Sequence, residues 1–113
     1  MSLAPSARGI LLDQAIANTN PINVEAAPAG GTTATFTIGA DSTTVAYAFF
    51  SDCGSAGFLP LEDSAGTAIT GTTTSGRSRK ITFDAPGRTV RATLTPGAAS
   101  GNIYCDFGQG LLR

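Results

Sequence analysis

The chain has 113 residues, enough for one domain that hides about two-thirds of the surface it exposes when unfolded. Hydrophobic residues make up 42% of it and charged residues only 13%, about half the usual charged share, which excludes a disordered acidic or basic tail. A net charge of −1 gives no global field to attract nucleic acid or an anionic membrane, and the absence of histidine removes the Ser-His-Asp and Cys-His arrangements and the commonest metal ligand.

The first 21 residues differ from the rest. Pro5 suits the first turn of a short helix, because its missing N–H is not needed there. Ile10, Leu11, Leu12, Ala15 and Ile16 would line one side, and Pro21 would stop any continuation. Three readings of this segment stand open: it is a frayed terminus, it is a helix plugging the domain's own core, or it is an arm docking on a neighbouring subunit through Ile10, Leu11, Leu12 and Ile16. Its apolar stretch is short, Arg8 sits close before it and Asp13 interrupts it, so it does not read as a signal peptide. No run of about 20 apolar residues is present to span a membrane. The chain is therefore expected to be used inside the cell that makes it, or to be a mature form.

From Ile22 onward the pattern is short strands and turns. Ile22–Ala26 is a first strand, followed by the loop APAGG. Thr33–Ile38 alternates, with Phe36 and Ile38 on one face. After the turn GADS, Thr44–Phe50 places Val45, Tyr47 and Phe49 on one side. The Gly-rich loop CGSAG leads to Phe58–Glu62, whose Pro60 cannot donate to a ladder and so marks an edge. DSAG (Asp63–Gly66) reads as a tight hairpin turn with Gly66 at positive φ, and Ala68–Thr73 returns. Lys80–Asp84 and Thr89–Thr95 flank APG (Ala85–Gly87), where Pro-Gly suits the centre of a type II turn; this reads as the clearest hairpin of the chain. Asn102–Phe107 closes the series, with Ile103, Cys105 and Phe107 on one face. The tail GQGLLR is expected to be mobile or docked on a partner. These features predict an all-β domain over residues 22–113. The fold class is an antiparallel β-sandwich or jelly roll of about eight short strands with an N-terminal arm over residues 1–21.

Little in the chain supports chemistry. The carboxylates Asp52, Glu62, Asp63, Asp84 and Asp106 fall mostly at turns or strand ends, where Asp commonly makes local hydrogen bonds. No Trp is present as a sugar platform, and no calcium-loop pattern occurs. Gly71–Ser78 (GTTTSGRS) approaches the phosphate loop GxxxxGK[ST], but Arg77 replaces its lysine and no helix follows. Arg77, Arg79, Lys80, Arg88 and Arg91 gather in sequence, either as a solvated hairpin face or as a patch for an acidic neighbour. Nucleic-acid binding would want more cations and interleaved aromatics. No enzyme activity, catalytic residue, cofactor or metal is expected. Cys53 and Cys105 share the parity of core residues. A bridge between sheets would add roughly 4 kcal/mol by loop entropy; without a visible export signal, two buried free thiols are favoured.

The apolar N-terminal segment SARGILLDQAIAN, the Gly/Ala/Thr-rich β-domain of low charge, the turns DSAG and APG and the apolar tail GLLR resemble the small virion proteins of tailed bacteriophages. The likeness is to the decoration, or cement, type that sits on capsids. It implies a homo-oligomer, often a trimer, that reinforces the capsid lattice. Its partners would be the major capsid protein or copies of itself, and it would join the virion after assembly in the host cytoplasm. A phage tail or fibre subunit is the near alternative. A secreted, extracellular adhesin or pilin-like sandwich is the distant one, and it would be expected to oxidise Cys53 with Cys105.

Overall fold

The computed structural model describes residues 8–111. Among these residues nine strands build two antiparallel sheets packed as a sandwich. β1 (Arg8–Ala15), β3 (Thr32–Ala40), β7 (Ser78–Asp84) and β9 (Asn102–Leu111) form a four-stranded sheet in the order β1-β9-β3-β7. β2 (Ile22–Ala26), β8 (Val90–Pro96), β4 (Val45–Asp52) and β5 (Phe58–Pro60) form the second sheet in that order. β6 (Thr70–Thr72) also pairs with β4.

The alternation of apolar and polar residues sets this arrangement. Along β8, Val90, Ala92 and Leu94 are fully buried while Arg91, Thr93 and Thr95 are partly exposed. β3 and β4 alternate in the same sense. A strand with one apolar face needs a second layer to cover that face, and two such sheets supply each other. At the centre Phe36 is fully buried. Its ring lies 4.9 Å from Phe49, 5.2 Å from Phe107 and 5.8 Å from Phe83. These offset and tilted contacts add to the burial itself.

Three expectations are corrected. The N-terminal segment is neither a helix nor a free arm over its described part: residues 8–15 are the edge strand β1, paired with β9 from Arg8↔Gly108 to Ala15↔Asn102. The register shifts between Ile10 and Leu12, so an extra residue sits in β1 there. Such a bulge reverses parity: Leu12, opposite Cys105, faces the core, whereas Ile10, opposite Asp106, faces out. Pro5, the proposed helix start, lies outside the described residues.

The tail GQGLLR, expected to be mobile or docked on a partner, continues β9 as far as Leu111, paired with β3 from Thr32↔Leu111 onward. The backbone groups on that side of β3 need partners, and the tail supplies them.

APG is not a hairpin turn. Gly87 does adopt positive φ (76°), but β7 pairs with β3 and β8 pairs with β2 and β4. The turn carries the chain from one sheet to the other. A local Pro-Gly signal fixes the reversal but not the pairing. DSAG does close a hairpin. Asp63 N–H donates to Thr67 O (2.8 Å), and Asp63 Oδ1 accepts from the N–H groups of Ala65 (2.9 Å) and Thr67 (3.0 Å). Its arms pair at Glu62↔Ala68, and the chain on either side runs on into β5 and β6, which lie end to end along the same edge of β4.

Candidate functional site

The residues singled out from sequence are dispersed by the fold. Leu12 and Ile16 are buried in the domain's own core, Leu11 packs against it, and only Ile10 stands out, 62% exposed. The stripe proposed for a partner is thus mostly spent within the chain. Cys53 and Cys105 are free and lie in different settings: Cys105 is fully buried, and Cys53 is exposed. β4 ends at Asp52, and the chain turns into a short 3-10 segment, Gly54–Ala56, before the parity that predicted an inward Cys53 applies. Burial, with a smaller contribution from the negative charge of Asp106, pushes the Cys105 thiol up to about 12.

The carboxylates are held by turns. Asp52 Oδ1 accepts from Gly54 N–H (3.0 Å), and Asp63 anchors its hairpin. Glu62, Asp63 and Asp84 do line one groove of about 500 Å³ between the β5–β6 hairpin and β7. Among the described residues, no group of three or more Asp, Glu or Cys is placed to hold a metal ion. The phosphate-loop look-alike is the connection from β6 to β7, with a strand where a helix would be required. The basic residues separate as well. Lys80 is on the outer face of the four-stranded sheet. Arg79 reaches across to Thr72 O of the other sheet (3.2 Å). Arg91 lies on the second sheet, paired with Glu25.

What the fold does assemble are two outer faces. On the four-stranded sheet, register aligns Gly108, Thr35 and Thr82 in one row and Ile10, Asp106, Thr37 and Lys80 in the next. Thr35 and Thr82 share a hydroxyl–hydroxyl hydrogen bond of 3.0 Å. Gly108 and Gly110 contribute no side chain, so the hydroxyls of Thr33, Thr35 and Thr37 border a shallow trough of about 410 Å³. Lys80 and Asp106 lie on either side of Thr37, so the trough carries little net charge. Sequence alternation predicted that these threonines share a face. It could not predict that glycines on a strand 70 residues away would lie beside them.

On the five-stranded sheet, one row runs Glu25, Arg91, Phe50, Pro60 and the next Asn23, Thr93, Ala48, Thr70. Arg91 donates to Glu25 Oε2 from Nε (3.0 Å) and Nη2 (2.9 Å). Its guanidinium carbon stands 3.8 Å from the centroid of the Phe58 ring. Thr93 Oγ1 donates to Asn23 Oδ1 at 2.7 Å. No sequence signal marked this set, because its members come from five strands and only pairing register unites them.

No protein-family model matches the chain, and no curated protein sequence matches it. Solved structures share its fold. A cleaved adhesin domain of Lys-gingipain from Porphyromonas gingivalis superposes with a TM-score of 0.51 at 16% identity, over 80% of this chain. The chain spans 63% of that domain's length. An endospore appendage of Bacillus, from a family of disulfide-linked pili, gives 0.52 at 18% identity over 99% of this chain and 93% of that one. The mitogen derived from Yersinia pseudotuberculosis gives 0.50 at 7% identity over 95% and 84%. At these identities the likeness is one of fold: a β-sandwich domain.

Proposed function

We propose that the chain is a non-enzymatic structural module that works by contact, as a subunit of a larger protein assembly. Within that class the favoured setting is the surface of a phage virion, where copies would decorate the capsid lattice. The observation that supports contact is the outer face of the four-stranded sheet: threonine hydroxyls, side-chain-free glycines and one balanced Lys80/Asp106 pair, bordered by the exposed Ile10. Small, uncharged side chains lose little rotamer freedom when a neighbour covers them, and an exposed Ile gives the covering an apolar anchor. The ionisable groups support the same reading, since Asp52, Asp63, Arg79 and Arg91 hold turns, strands and sheets together.

The second reading is a secreted adhesin or pilus-like module, favoured by the fold shared with a bacterial adhesin domain and a spore appendage. Immunogold electron microscopy of particles and cells that make the chain separates the two. Label on capsid lattices supports decoration, label on tails or fibres supports a tail subunit, and label on cell-surface filaments supports the adhesin reading. Sedimentation equilibrium of the purified chain tests contact itself. Association that strengthens with concentration and is weakened by Ile10→Lys is expected; a monomer at every concentration that also fails to label any assembly overturns the proposal.

A further inference from the structure

The outer face of the five-stranded sheet carries a groove of about 320 Å³ lined by Pro21, Asn23, Phe50, Phe58, Arg91 and Thr93. We propose that this groove binds a neutral sugar, as a pyranose unit of a short oligosaccharide. The inference goes beyond assembly through the other sheet, because it gives the module a small polar ligand on the opposite side.

The apolar half of the site is the pair of phenyl rings. Phe50 and Phe58 are half-buried on a solvent-facing surface, Phe50 between Arg91 and Pro60 in register and Phe58 opposite Asp52, with Asn23, Thr93 and Ala48 in the next row. One face of Phe58 is covered by Arg91. Phe50 sits beside Ala48, two residues back along β4, whose small side chain leaves a step next to the ring. A pyranose offers a patch of C–H groups on one face, which suits an aromatic ring, and hydroxyls around its edge.

The polar half is already oriented. Arg91 is fixed by two bonds to a single oxygen of Glu25 and by stacking on Phe58. Among the described residues, its Nη1, the Oε1 of Glu25 and the Nδ2 of Asn23 take no hydrogen bond. Thr93 donates its proton to Asn23 and keeps its acceptor capacity. Donors and acceptors therefore line the same groove as the two rings, each held in place by a bond that leaves its other polar atom to the ligand. A sugar hydroxyl both donates and accepts, so it can use this mixture, and prior ordering of the side chains lowers the entropy lost on binding.

Charge sets the ligand class. The Arg91 cation is matched by Glu25, and Asp52 stands opposite Phe58 in register. A phosphate, carboxylate or sulfate approaching Arg91 would meet these carboxylates, whereas a neutral hydroxyl would not.

The test is an amide NMR titration of the full chain with lactose, cellotriose, mannotriose and chitotriose. Concentrations run to about 50 mM, above the millimolar Kd expected for one partly covered ring. At least one sugar should give saturable shifts confined to β2, β4, β5 and β8. Asn23→Ala and Phe50→Ala should each weaken that binding about tenfold or more while the rest of the spectrum holds. If Phe50→Ala does not fold, Asn23→Ala, at an exposed position, carries the test. No saturable shift with any of the four sugars, shifts elsewhere on the surface, or binding unchanged in Asn23→Ala overturns the proposal. Sialyllactose binding tighter than lactose overturns the neutral class.

Discussion

Asp41 and Asn102 join a loop to a strand 61 residues away in sequence. Asp41 Oδ1 accepts from the Asn102 backbone N–H at 2.8 Å, and Asp41 Oδ2 accepts from its Nδ2 at 3.1 Å. The loop after β3 is thereby tied to the start of β9.

This pair predicts an acid-sensitive element. The Asn102 backbone N–H, and then its side-chain amide, hold the Asp41 carboxyl below its ordinary value of 3.8. The folded state favours the charged form. Its stabilisation is therefore present above the unfolded pKa and lost as pH falls through the lower folded value. Asp41→Asn, which can accept at only one atom, should melt below the wild type at neutral pH. The gap should narrow at about pH 3. Thermal melts at both pH values check this; a gap independent of pH refutes it.

Ile10 and Leu12 give a sharper test of the β1 bulge. They are two residues apart on one strand, so an unbroken strand would put them on the same face. With the bulge, Leu12 is 8% exposed and Ile10 is 62% exposed. Leu12→Ala should cost about 2–5 kcal/mol of stability, as for a core leucine. Ile10→Ala should stay within about 0.5 kcal/mol, as for a surface site. Equal costs in urea unfolding would remove the bulge from the account.

The same contrast bears on what could be read from sequence. β2 was legible to its ends, and β3, β4, β8 and β9 to within a few residues, because each alternates cleanly against one core. The N-terminal run was not. Ile10, Leu11, Leu12 and Ile16 fit a helical stripe, and only a partner strand with unmet backbone groups and a bulge makes them a strand. The APG turn misled for a related reason: Pro86 and Gly87 specify a reversal, and the same reversal serves a hairpin or a crossing between sheets. The candidate surfaces were the least legible. Thr33, Thr35 and Thr37 were visible as one face of a strand, but Gly108 and Gly110 beside them, or Arg91 over Phe58, depend on register between distant segments.

Phe36 should dominate the core energetically. It is fully buried among Phe49, Phe83 and Phe107, so Phe36→Ala should cost about 3–5 kcal/mol. Phe83, on the edge strand β7 and half-buried, should cost less when changed to Ala. Chemical denaturation of both variants checks the order.

The two thiols should react on different timescales. Cys53 is exposed, whereas Cys105 is buried with its thiolate disfavoured, and the thiolate is the reactive form. A disulfide reagent should label one thiol per native chain and a second only after denaturant is added. Two fast thiols, or none in the native protein, would contradict the placement of β9 or of the loop after β4.

The position of β9 has a consequence for biosynthesis. It is translated after the other eight strands described, yet it lies between β1 and β3, so until it arrives β1 has no partner strand and β3 pairs only with β7. Until β9 has emerged, β1 has nothing to pair with and Phe36 lacks the Phe107 side of its enclosure. The four-stranded sheet can therefore close only once this last strand is available to join β1 to β3.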